Sequence, residues 1–197
     1  MNPNPPLDPN QILIAEYTYI AQTAFQANED RARVSSYYFV TAGAAVAAIL
    51  SANVDGTTPP MVYLGLGALF GVLAVIGWLT VRQLARLRLA WNRSAQALNK
   101  IKTYYRAHCE QPLAPAFDWD EQDLPAPDDP GSIAALLSKS AMVIDAVSLT
   151  VAFAYIGRAL LPSGNEIPIL IVGIIAGVVF FRWQYHRFFK MLRADKA

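Results

Sequence analysis

Four stretches of this sequence, residues 37–52, 61–81, 141–161 and 167–181, are apolar and nearly free of charge. No other feature restricts the possible folds as tightly. A bilayer core of roughly 30 Å takes about 20 helical residues, fewer when the flanking side chains adjust. The first three stretches are read as fitting that length. The fourth reaches it when Glu166 and the Arg182-Trp183 pair lie at the two interfaces, as long and amphipathic side chains can. One such run alone could be the core helix of a soluble domain. Four of them in 197 residues, 54% apolar and 16% charged with a mean hydropathy of +0.28, leave too little amphipathic chain to cover them. Lipid is therefore expected to solvate them, and only helices or closed barrels satisfy the backbone there. The expected fold class is all-α, a four-transmembrane-helix bundle with hairpins at about 37–54 with 61–81 and 141–161 with 166–183.

Charge supplies the orientation. Arg31 and Arg33 precede the first span, and Arg82, Arg86, Arg88, Arg93, Lys100, Lys102 and Arg106 follow the second. Arg182, Arg187, Lys190, Arg193 and Lys196 follow the start of the fourth span's polar end, whereas 51–60 and 162–167 carry no Lys or Arg. Positive residues stay on the cytoplasmic side, so both termini and the middle segment are expected inside a cell (inner) membrane. Met1–Asn10 lacks the basic region of a cleavable signal. Tyr37, Tyr38, Tyr63, Trp78, Trp183 and Tyr185 fall near the expected interfaces and read as anchors.

The first two spans are expected to continue beyond the membrane. Asp8-Pro9 is a cap followed by a first-turn proline, and no glycine or proline interrupts the path into the first span. Leu13, Tyr17, Ile20 and Ala24 recur at coiled-coil spacing, as do Leu84, Leu87, Trp91, Leu98, Ile101 and Tyr105 after the second span. Each extension would reach roughly 35–40 Å at 1.5 Å per residue. The short Asp55-Gly56 connection makes the spans antiparallel, so the extensions are expected to pair as an antiparallel coiled coil, within one chain or across an oligomer. The second extension is also compatible with a basic surface helix on anionic lipid; no reading motif supports specific nucleic-acid recognition. Three regions result: 1–107 with the first hairpin, an acidic proline-rich connector 108–130, and 131–197 with an interfacial helix, the second hairpin and a basic tail. The connector is expected to fold back onto the basic extensions, and Asp129-Pro130 to cap a helix over 132–161.

Within the spans, Gly67 with Gly71 and Gly173 with Gly177 match the small-xxx-small pattern, and Gly43 with Ala47 is a softer version. These faces are expected to build the bundle or a homo-oligomer. Asp145 is the carboxylate inside a span, either a water-accessible or Lys139-paired side chain or a polar group facing a pore or bundle interior. Arg158, near the outer end of the third span, reads as snorkelling toward headgroups or Glu166, with a pore-facing role as the alternative. The lone Cys109, the isolated His108 and His186, and acidic residues without calcium-loop spacing give no catalytic, cofactor or metal set.

Ala24-x-x-Ala27, Asp30-Arg31, Arg33 and Ser35-Ser36 directly before a span resemble the first hairpin of bacterial SLATT-type membrane proteins. That resemblance covers roughly the first 107 residues and implies a helical-hairpin effector linked with nucleotide-second-messenger and antiphage or stress systems. The second hairpin and the lack of a sensor domain depart from the pattern. Leu98-Asn99-Lys100-Ile101-Lys102 with Trp119 is also similar to bacterial four-span membrane proteins, which implies no activity. Two functions are expected in turn: an oligomeric, pore-forming effector or interaction protein with membrane lipid and a cytoplasmic protein as partners, or a small constitutive transporter or channel component.

Overall fold

The computed structural model describes residues 8–51, 54, 58–108, 124, 126–161 and 166–194. Its elements are four helices, α1 (Pro9–Ser51), α2 (Pro60–His108), α3 (Ile133–Leu160) and α4 (Glu166–Arg193). All four are long and apolar enough to cross a membrane. α1 begins where the sequence places it, with the Asn10 amide donating to Asp8 Oδ1 at 2.9 Å. The Asp129-Pro130 cap of α3 moves three residues on. Ser132 takes the cap instead, its hydroxyl accepting from the Ala135 amide, while the Asp129 carboxylate turns back to accept from the Gly131 amide.

Each helix runs antiparallel to the next, as the residues that meet show. Tyr38 and Gly77 bring α1 to α2; Gly77 with Asp145, and Arg88 with Ser132, bring α2 to α3; Gln184 and Asp145 bring α3 to α4. α2 and α3 form the central pair, with α1 packed on α2 and α4 on α3. Phe70, Leu73, Ala85, Met142, Phe188 and Leu192 fill the core between them. Exposed Val, Ile and Leu side chains cover the outward faces of all four helices. In water this would be a severe liability; against acyl chains it is the ordinary solvent-facing surface.

Small residues set the approach of the backbones. A methyl group added at Gly67 would come within 2.6 Å of Ile156 Cγ1, and one at Gly173 within 3.0 Å of the Thr150 carbonyl oxygen. At Gly177 it would meet the Ala146 carbonyl oxygen at 2.7 Å. These three glycines let α2 and α4 lie close to α3. Gly71 and Gly43 face open space, and Ala47 is exposed, so the outer halves of those patterns pack nothing within one chain.

Candidate functional site

Two groups of buried polar side chains tie the helices of this apolar protein to one another. The first lies inside the span region and draws one residue from every helix. Asp145 of α3 is fully buried, with 0% exposure. Its Oδ1 accepts from the Tyr38 hydroxyl of α1 at 3.0 Å, and its Oδ2 accepts from Gln184 Nε2 of α4 at 2.7 Å. Gly77 of α2 closes the fourth side, where any side chain would collide with the Asp145 carboxylate and the Tyr38 hydroxyl. Gln184 Oε1 is buried without a partner. The arrangement ties the four helices at one level and, among the described residues, leaves that amide oxygen as its buried side-chain atom with no hydrogen bond.

Asp145 thus faces the bundle interior. Lys139 is not its partner, because Lys139 Nζ donates to the Pro130 carbonyl at 2.8 Å. Tyr38 is not at an outer surface as its place in the sequence suggests; it is 2% exposed and donates into the core. Tyr63, also read as an anchor, is 5% exposed and stacks loosely with Tyr155. Trp78 and Trp183 do lie together at the periphery, ring centroids 6.0 Å apart, with Arg82 and Arg187 over their faces.

The second gathering lies at the end of the molecule where α1 enters, α2 leaves and α3 begins. Arg88 of α2 is buried and holds the segment before α3 by its guanidinium. Nε donates to the Pro127 carbonyl and Nη1 to the Ser132 hydroxyl. Nη2 donates to the carbonyls of Ala126 at 3.1 Å and Asp129 at 3.4 Å. Burial pulls this guanidinium below its ordinary value, Asp129 and Asp128 opposing the effect and the positive charge of Arg31 adding to it. Asp128, half-buried, meets the exposed Arg193 of α4 at 3.4 Å, so the end of the acidic connector contacts basic side chains from both hairpins. The remainder of the connector, including Cys109 and Trp119, lies outside the described residues.

Leu84 and Ile101 of the expected α2 stripe are buried, while Leu87, Trp91, Leu98 and Tyr105 are half-buried. On α1, Leu13, Ile20 and Ala24 are half-buried and Tyr17 is exposed. Beside the stripe, Ala85, Arg88, Asn92, Ala95 and Asn99 form a second buried line along this half of α2. They follow one heptad register, one residue further along the helix than the apolar stripe. A reading keyed to apolar residues passes over this face because three of its five members are polar. Arg158 sits at the opposite end, its guanidinium 5.2 Å from the Tyr63 ring centroid; the Glu166 side chain lies outside the described part. No group of three or more metal-binding side chains occurs among the described residues.

The fold and these two polar ties define the class: an all-helical protein whose four helices suit membrane crossing, locked internally by buried polar side chains. Comparison with protein-family models, with curated proteins and with solved structures gives no match.

Proposed function

We propose that the chain is an integral membrane interaction or effector protein of the cell (inner) membrane, oligomeric through the ends of α1 and α2 that project beyond the bilayer. In this reading both termini and the connector are cytoplasmic, the projecting helices pair as an antiparallel coiled coil, and a partner protein acts on them. A pore would form between subunits on activation. The reading rests on one observation above others. Ile12, Ile14, Tyr17, Tyr19 and Phe25 are exposed, between 39% and 66%, on a part of α1 that precedes the first apolar run. Phe25 lies twelve residues ahead of Tyr37, about 18 Å along a helix, too far for the acyl chains to cover it.

At 100° per residue, Ile14, Tyr17 and Phe25 fall to one side of the Leu13-Ile20-Ala24 stripe, and Ile12 and Tyr19 to the other. Apolar side chains on both flanks suit a helix with neighbours on both sides, as in a ring of copies. The filled core argues in the same direction, since Phe70, Met142 and Phe188 occupy the middle of the single chain. The buried polar side chains Tyr38, Asp145 and Gln184 are bonded to one another across the bundle and not strung along it, which disfavours an autonomous transporter. The test is cross-linking and native mass spectrometry of the protein in lipid nanodiscs, beside dye release from liposomes. Oligomers are expected, reduced to monomer by Ile14→Lys with Phe25→Lys, with dye release only from the oligomer. A monodisperse monomer with tight liposomes, unchanged by the double substitution, would overturn the reading.

A further inference from the structure

Beside the Arg88 tie is a pocket of about 250 Å³, lined by Asn28 and Arg31 of α1, Arg88 and Asn92 of α2, and the first residues of α3. Its charges are unbalanced. The Arg31 guanidinium makes no ion pair or hydrogen bond among the described residues, and burial alone accounts for the lowering of its proton affinity, with no carboxylate opposing it. Arg88 presents five N–H donors, of which the four contacts to the segment before α3 use four, leaving one hydrogen on Nη1. Asn92 is 3% exposed, and its amide makes no hydrogen bond among the described residues.

The start of α3 adds to this. Ser132 serves the Ala135 amide, so the Ile133 and Ala134 N–H groups have no partner within the helix. Both residues line the pocket, at the positive end of a 28-residue helix. The nearby carboxylates are engaged elsewhere: Asp129 by the Gly131 amide and Asp128 by Arg193.

We infer that this pocket binds an anionic phosphate group, held between Arg31, the spare Arg88 hydrogen, the Asn92 amide and the first N–H groups of α3. The guanidinium fork matches phosphate oxygens, and a helix start facing the same space is a common phosphate seat. Arg31 lies six residues before the first apolar run and Arg88 seven after the second, about 9–11 Å along the helices, a few ångströms past the roughly 5–8 Å headgroup layer and within the reach of an arginine side chain. The phosphate therefore comes either from an anionic lipid of that leaflet or from a phosphorylated solute.

The experiment uses the full chain in nanodiscs and reads thermal unfolding, since a ligand that binds only the folded state raises the midpoint. One arm compares pure phosphatidylcholine with a phosphatidylcholine–phosphatidylglycerol mixture; the other titrates inorganic phosphate and pyrophosphate into the phosphatidylcholine discs. A rise in the midpoint is expected in at least one arm, and which arm responds identifies the source. Arg31→Gln should weaken that response roughly tenfold, the loss expected for one charge-assisted contact, whereas Arg86→Gln, an exposed arginine of α2, should keep it. Asn28→Asp, which puts a negative charge on the pocket wall, should abolish the response and serves if Arg31→Gln does not fold. No rise in either arm would overturn the inference. Equal losses in Arg31→Gln and Arg86→Gln would do so too, since the effect would then be diffuse surface charge.

Discussion

Asp145 shows how a single residue can be both a cost and a lock. A carboxylate at the centre of a span is unfavourable by on the order of 2.5–3.5 kcal/mol on insertion scales, and by less one turn in from the end, where Asp145 lies; this one is moreover satisfied at both oxygens, by Tyr38 and Gln184. Replacing it with leucine strands a hydroxyl and an amide donor in the core. Asp145→Leu should lower stability by roughly 1–3 kcal/mol, allowing for the modest worth of hydrogen bonds in membranes. Asp145→Asn should stay within about 1 kcal/mol of the parent, because its oxygen accepts from Tyr38 and its nitrogen can donate to the unpartnered Gln184 oxygen once that amide rotates. Unfolding in mixed micelles separates the two. Equal damage from both would show that charge, and not the hydrogen-bond pattern, matters. Asp145 was legible in the sequence as the lone carboxylate of a span. Its partners were not, since Tyr38 is 107 residues away and Gln184 39 residues away, and periodicity carries no information across such distances. Gly77 was missed because it belongs to no small-xxx-small pair.

At the level of elements, α2 does most of the organising. Glycines on its first half admit α3, and polar residues on its second half hold the chain between the hairpins. Arg88 is the decisive one, joining the helix to three backbone carbonyls and a serine hydroxyl. Arg88→Met keeps the length of the stem and removes the donors, so residues 126–132 should lose their anchorage. Hydrogen exchange and limited proteolysis should both accelerate there, with helix content unchanged by circular dichroism. The cost should be roughly 3 kcal/mol, given several buried acceptors left unsatisfied. Protection of 126–132 equal to that of the parent would contradict the anchoring role. The helices themselves were readable in advance, because charge-free length, a cap at Asp8 and the absence of breakers act locally. The buried face of the outer half of α2 was not, because Arg88, Asn92 and Asn99 are the residues that composition assigns to solvent.

For the whole molecule, the antiparallel order α1 to α4 places Arg31, Arg88, Asp128 and Arg193 at one end and Tyr63 and Arg158 at the other. If the basic end is cytoplasmic, the native Cys109 reacts with an impermeant maleimide only from the inside. A cysteine introduced at Thr57 in a Cys109→Ser background then reacts only from the outside. The reverse pattern in intact cells and inverted vesicles would overturn the orientation while leaving the fold untouched. The number of helices long and apolar enough to cross a membrane was the most legible property of all, because it depends on composition alone. The way the two hairpins interlock depends on side chains that meet only after folding.

That interlock has a consequence for biosynthesis. Chains emerge from the ribosome N-terminus first, so in the membrane reading proposed above Tyr38 and Gly77 are already in the bilayer when the third helix arrives with its acid. The carboxylate therefore enters next to a waiting hydroxyl and a cleft shaped to receive it, and Gln184, made last, completes its shell.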